Sequence, residues 1–192
     1  ATQHSTKNQP MSLYSPFSKE DLMPQPEMLE IKKQKGELFI GLPKETHFEE
    51  KRISLTPDAV SALVAHGHRI VIETGAGEGS NYSDNEFSEA GAKISYDVKE
   101  AFACNIVLKV EPPSIKEIEM MNPQAILISA LQLKTQNKDY FEALAKKRIT
   151  ALAFDYIKDE HGVYTIVKSL SEIAGTASVL IASELMNSVN KG

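Results

Sequence analysis

Phe39-Ile-Gly-Leu-Pro-Lys-Glu-Thr46 passes through a short link into Glu50-Lys-Arg-Ile-Ser-Leu-Thr-Pro57. The first run is an apolar strand that ends in a polar loop. The second carries a cation, Arg52, and closes on Thr56-Pro57, an N-cap residue followed by proline at the first helical position. Together they predict a strand–loop–helix unit with a guanidinium at the mouth of a sheet. A guanidinium fork can grip a carboxylate through two parallel N–H bonds. The stretch therefore points to a site for small carboxylic acids.

Working outward, the pattern alternates from Glu37 onward. Apolar runs suited to buried strands cover 38–42, 69–72, 106–110, 125–129 and 149–154. Helical spacing covers 57–66, 84–90, 98–103, 115–121 and 138–147, with Val60, Leu63 and Val64 on one face of the first. Gly67 and Gly91 stand just past two of these helices, where a left-handed residue stops the turn. Continuous apolar strands separated by helices predict an α/β fold, a doubly wound, Rossmann-like (flavodoxin-like) parallel sheet. Ligands of such sheets bind beyond the C-terminal strand ends.

The sequence divides into residues 1–35, an N-terminal arm or leader rich in Ser, Pro, Gln and Lys; residues 36–168, the α/β domain; and residues 169–192. Within the arm, Ser18 to Met23 could form a short helix. The last segment, from Ser169 to Asn190, has small and apolar side chains at helical spacing, and Ser171 can cap it. A helix this apolar needs protein around it, so a further domain is expected to follow.

The 192 residues carry a formal charge of -5 with both signs interspersed, and no basic cluster of the kind a nucleic-acid surface needs appears. The lone cysteine, Cys104, precedes an apolar strand and is expected to be a buried thiol. No uninterrupted apolar run of about 18 residues and no secretory h-region are visible, so a soluble cytoplasmic protein without membrane contact is expected. Gly75-Ala-Gly-Glu-Gly-Ser80 follows a strand but fails the dinucleotide fingerprint, because Ser80 stands where the third glycine belongs. A tight strand-to-helix turn is the reading.

The opening stretch, then Gly67-His-Arg-Ile-Val-Ile-Glu-Thr-Gly-Ala-Gly-Glu-Gly-Ser80, Glu89-Ala-Gly-Ala92, Ile106-Val-Leu-Lys-Val-Glu-Pro-Pro113 and Leu170-Ser-Glu-Ile-Ala-Gly175, resembles in order the alanine dehydrogenase and proton-translocating transhydrogenase family. The likeness runs from about Glu37 to Asn190. It implies an N-terminal, substrate-binding domain, with residues 169–192 as the helix leading to an NAD domain outside this chain. It implies an oligomeric oxidoreductase that takes pyruvate or L-alanine and uses NAD, and a fragment inactive alone. It places Arg52 on the substrate carboxylate, Lys109 on the substrate oxygen, Ser171 against the nicotinamide nucleotide and Asp155 where some relatives have an acid implicated in metal contact.

One position departs from that pattern. Where alanine dehydrogenases place a catalytic histidine, this chain has Gln132, which cannot take up a proton at neutral pH. Lys134, two residues on, becomes a candidate if a desolvated cleft lowers its pKa. Gln132 tilts toward the transhydrogenase subunit, which needs no such histidine. The Glu-Gly-Ser ending of the glycine loop and the Lys-Val-Glu-Pro-Pro run tilt toward alanine dehydrogenase. A saccharopine-dehydrogenase-like enzyme and a non-catalytic carboxylate-binding domain stay open.

Overall fold

The computed structural model describes residues 36–189, and the described residues from Glu37 onward belong to one compact unit. The expected arm at residues 1–35 lies outside the described residues. Elements alternate strictly: β1 (Phe39–Leu42), α1 (Pro57–Ala65), β2 (Arg69–Glu73), α2 (Asp84–Glu89), β3 (Lys93–Ser95), α3 (Val98–Phe102), β4 (Ile106–Leu108), α4 (Ile115–Met120), β5 (Ile126–Ser129), α5 (Lys138–Lys146), β6 (Thr150–Ala153) and α6 (Thr165–Val189). Short 3-10 turns occupy Glu78–Ser80 and Phe154–Tyr156.

All six strands are parallel, in the order β3-β2-β1-β4-β5-β6. That is the Rossmann order; the 2-1-3-4-5 order of the flavodoxin variant is not adopted. The winding reverses between β1 and β4, paired Ile40 to Ile106 and Gly41 to Val107. This switch point opens a crevice beyond the two strand ends.

Period-2 alternation splits the core. Ile40, Leu42, Ile70 and Ile72 face α1 and α2 through Val60 and Phe87, while Val107 and Leu127 pack with Phe102, Ile118 and Leu144 from α3, α4 and α5. Gly41 lets α3 lie directly on β1: a Cβ there would sit 1.8 Å from the Ala101 carbonyl oxygen. On the first face no helix follows α2, and Leu152 of β6 is 48 % exposed. Phe154 and the start of α6 line an apolar cavity with Leu108 and Ile128 of β4 and β5.

Two expectations need correction. The sequence reading omits β3, a three-residue edge strand paired to β2 at Val71–Lys93. Its half-exposed Lys-Ile-Ser carries only one apolar side chain, too little to register as a period. Ser171 is not a helix cap. Helix α6 starts at Thr165, after a turn at Gly162 with φ +79°, and Lys168 N–H already donates to the Tyr164 carbonyl at 2.8 Å. No glycine or proline lies between Thr165 and Ser171 to stop the helix growing backward. Helix α6 thus begins four residues before Ser169, where the sequence reading began it. Its Thr165–Asn187 stretch meets the length and composition of a membrane span, and none of that window is buried.

Candidate functional site

Because every strand runs the same way, the loops after β1, β4 and β5 share one edge of the sheet. The loop after β1 delivers Glu45 and Arg52, the end of β4 delivers Lys109 and Glu111, and the loop after β5 delivers Gln132. The pairing of β4 with β5 continues past the strands, through Lys109 N–H to the Ile128 carbonyl at 3.0 Å and Ala130 N–H to the Val110 carbonyl at 3.1 Å. Lys109 is therefore fixed by the sheet itself.

Two cavities open here. One, of about 400 Å³, has apolar walls from Leu108, Ile128, Phe154, Ile166 and Leu170, and both Arg52 and Lys109 border it. The other, of about 370 Å³, is polar and includes Glu45, Lys109, Glu111, Glu117, Gln132 and Tyr140. Lys109 borders both. The structure thus brings the two expected cations to one crevice, and it gives each a pair of glutamates that the sequence reading did not single out.

Arg52 forms a fork with Glu50, Nε to Oε1 at 2.8 Å and Nη2 to Oε2 at 2.5 Å, and its Nη2 lies 3.7 Å from Glu111. These bonds hold the Glu50 carboxyl below its ordinary range against a burial effect of opposite sign. Lys109 has a side chain only 2 % exposed, with its ammonium 3.3 Å from Glu45 and 3.2 Å from Glu117. A surface lysine reaching for water is thereby ruled out. Glu117 also serves as a capping-box residue for α4, its other oxygen accepting Ser114 N–H at 2.6 Å. Glu45 accepts Val110 N–H at 2.6 Å and Glu111 N–H at 3.4 Å. Burial outweighs Lys109 and these bonds, and the Glu45 carboxyl is raised above its ordinary value.

Gln132 sits in a left-handed backbone conformation, φ +47°, and its amide donates to Glu111 at 2.7 Å. It positions Glu111, which in turn reaches Arg52. Lys134 is exposed and borders neither cavity, so the desolvation its role required is missing. Asp155 lies in the 3-10 turn after β6 with a buried Oδ1 that has no hydrogen-bond partner. Among the described residues no group of three His, Cys, Asp or Glu side chains gathers to hold a metal. Ser171 is exposed within α6. Cys104 is buried with its thiol pushed up to about 12, an inert group.

The glycine loop does not fit a dinucleotide. The glycine loop follows β2 instead of β1, and a Cβ on Gly77 would sit 2.6 Å from the Phe87 ring and 2.8 Å from the Tyr82 carbonyl oxygen. Its glycines serve packing of the chain on itself, and Ser83 opens α2 with a capping box. Of the glutamates missed in the sequence, Glu117 carried a readable signal, Ser114-x-x-Glu117 before an apolar run. Glu45 carried none beyond its place three residues past a strand end.

A family model described as alanine dehydrogenase/PNT, N-terminal domain, matches residues 41–174. The alanine dehydrogenase of Staphylococcus epidermidis is 33 % identical over 153 residues, 80 % of this chain and 41 % of its own length. That of Bacillus subtilis is 32 % identical over 155 residues, 81 % of this chain and 40 % of its own. A solved L-alanine dehydrogenase superimposes with a TM-score of 0.71 at 32 % identity, covering 74 % of this chain and 39 % of that one. A solved transhydrogenase from Sinorhizobium meliloti gives 0.57 at 29 % identity, covering 60 % and 34 %. The chain spans about two fifths of the length of the curated relatives it matches.

Proposed function

We propose, from the premise that this chain belongs to the alanine dehydrogenase/PNT N-terminal domain family, that it is the acid-binding part of an NAD-linked oxidoreductase interconverting L-alanine and pyruvate. One observation carries the reading: Arg52 and Lys109, from separate strand ends, border the same apolar cavity at the switch point of the sheet. In this reading the substrate carboxylate takes over the Arg52 fork now filled by Glu50. The Lys109 ammonium stabilises negative charge on the substrate oxygen. Ile166, Leu170 and Phe154 accept the methyl group and keep water away from the reacting carbon. Ser171 on α6 contacts the nucleotide, and the rest of the nucleotide site lies outside the described residues. The protein works as a soluble cytoplasmic homo-oligomer.

A second reading is the nucleotide-binding subunit of a proton-translocating transhydrogenase. It is favoured by Gln132, whose amide is committed to Glu111 and cannot titrate. The test is steady-state assay of the full-length polypeptide. L-Alanine-dependent reduction of NAD is expected. Hydride transfer from NADH to an NADP analogue, with no turnover of alanine, would replace the first reading by the second.

A further inference from the structure

The charge count at the switch point sets a problem for any anionic ligand. Two cations, Arg52 and Lys109, are matched by four carboxylates, Glu45, Glu50, Glu111 and Glu117. With every carboxyl ionised, the site already carries surplus negative charge before an acid arrives. An entering carboxylate adds to it in a crevice where solvent screens little. Even with Glu50 giving up the Arg52 fork, Glu45, Glu111, Glu117 and the ligand face only two cations, and an entering proton offsets one of those charges.

The geometry shows which group can take the proton. Glu50 is bonded to Arg52, which holds its carboxyl below the ordinary range, while Glu111 accepts from Gln132 at 2.7 Å and lies 3.7 Å from the Arg52 Nη2. Glu117 accepts the Ser114 N–H that its capping role requires and the Lys109 ammonium. The Tyr140 hydroxyl is pushed up to about 12 by burial and by Glu117. Glu45 differs. Its side chain is 6 % exposed, it shares the Lys109 ammonium with Glu117, and it lines the polar cavity directly behind the lysine. One ammonium between two buried carboxylates leaves one negative charge uncompensated, and burial already favours the protonated form of Glu45.

We propose that binding of a small carboxylate at this site takes up a proton, and that Glu45, packed against Lys109, is the group that receives it. The inference rests on the acid-binding reading above and adds to it a proton placed one contact away from Lys109. No covalent step is involved: the proton comes from solvent on binding and returns when the anion leaves. The charged and titratable groups around Glu45 are Lys109 and Glu111 from the end of β4, Glu117 from α4, Lys44, His47, Glu50, Lys51 and Arg52 from the loop after β1, Glu78 from the 3-10 turn after β2, and Tyr140 from α5 beyond Glu117.

The test is pyruvate binding to the full-length polypeptide, measured across the neutral range of pH in buffers of low and high ionisation enthalpy. Expected is an affinity that falls as pH rises, approaching about tenfold per pH unit over part of the range. A buffer-dependent binding heat should report the same proton uptake. In Glu45→Gln the slope flattens and the buffer dependence disappears. Glu45→Asp, which keeps a carboxyl, restores both and guards against misreading a folding defect. Wild-type binding that is independent of pH and buffer overturns the proposal and leaves the acid-binding reading standing. So does a slope kept in Glu45→Gln but lost in His47→Asn. No pyruvate binding to the wild type at any pH overturns the acid-binding reading and the proposal with it.

Discussion

Arg52 and Lys109 occupy one edge of one sheet, each between two glutamates, and the protein holds them in opposite ways. The Arg52 side chain is 51 % exposed and its partners are reached from a loop. The Lys109 side chain is 2 % exposed, pinned to the β4–β5 ladder and enclosed by carboxylates. Around Arg52 the guanidinium meets solvent, although Glu50 is only 7 % exposed, so the attraction is partly screened and a ligand carboxylate can reach the fork. At the buried pair, desolvation decides which groups are ionised. The same pairing motif therefore makes an exchangeable anchor in one place and a proton-sensitive fixture in the other.

The strongest way to break this comparison is to remove each cation. Lys109→Met leaves Glu45 and Glu117 buried without their shared partner. We expect a loss of about 3–5 kcal/mol in chemical denaturation, lessened at acidic pH where a carboxyl protonates. An unchanged denaturation midpoint would show that Lys109 is not enclosed as described. Arg52→Ala should leave stability within about 1 kcal/mol of wild type. Pyruvate affinity in the full-length polypeptide should fall by about 2 kcal/mol, roughly 30-fold, because a charged bidentate contact is lost. Calorimetric titration checks it, and equal affinities would remove Arg52 from the acid-binding role.

Smaller effects sharpen the contrast through pH. Glu45 has a folded pKa raised above its unfolded value. Its favourable contribution is therefore complete below the unfolded pKa and is lost as pH rises through the folded one. Glu50 has the opposite sign: its contribution is present above the unfolded pKa and is lost as pH falls through the lowered folded one. Thermal melts should show Glu45→Gln flattening the decline on the alkaline side. Glu50→Gln should flatten it only on the acid side, by no more than about 1 kcal/mol. Identical profiles for the two variants would erase the distinction.

Much of this architecture was legible in the sequence, for reasons that are local. Thr56-Pro57 set the start of α1, where the Thr56 hydroxyl accepts Ala59 N–H at 3.4 Å, and Gly67 and Gly91 end their helices at φ +88° and +94°. Buried parallel strands announce themselves as apolar runs, so five of the six were visible and only the half-exposed β3 was not. The start of α6 was misplaced because Ser171 resembles a cap, whereas the turn at Gly162 sets the helix going earlier. Arg52 and Lys109 were legible because cations at strand ends are chemically conspicuous. Of their glutamate partners only Glu117 had a local signal, the Ser114-x-x-Glu117 capping pattern; Glu45 and Glu111 are brought together across 66 positions by the pairing of β1 with β4, which no local pattern encodes.

The central claim is that Arg52 and Lys109 act on one small anion together. The most direct measurement follows the side-chain nitrogen resonances of both residues in the full-length polypeptide during titration with pyruvate, and again with acetone, which lacks the carboxylate. The account predicts that pyruvate shifts both resonances along one saturation curve while acetone leaves Arg52 unmoved. Pyruvate saturating with only one of the two resonances shifted, or Arg52 responding equally to acetone, would contradict it.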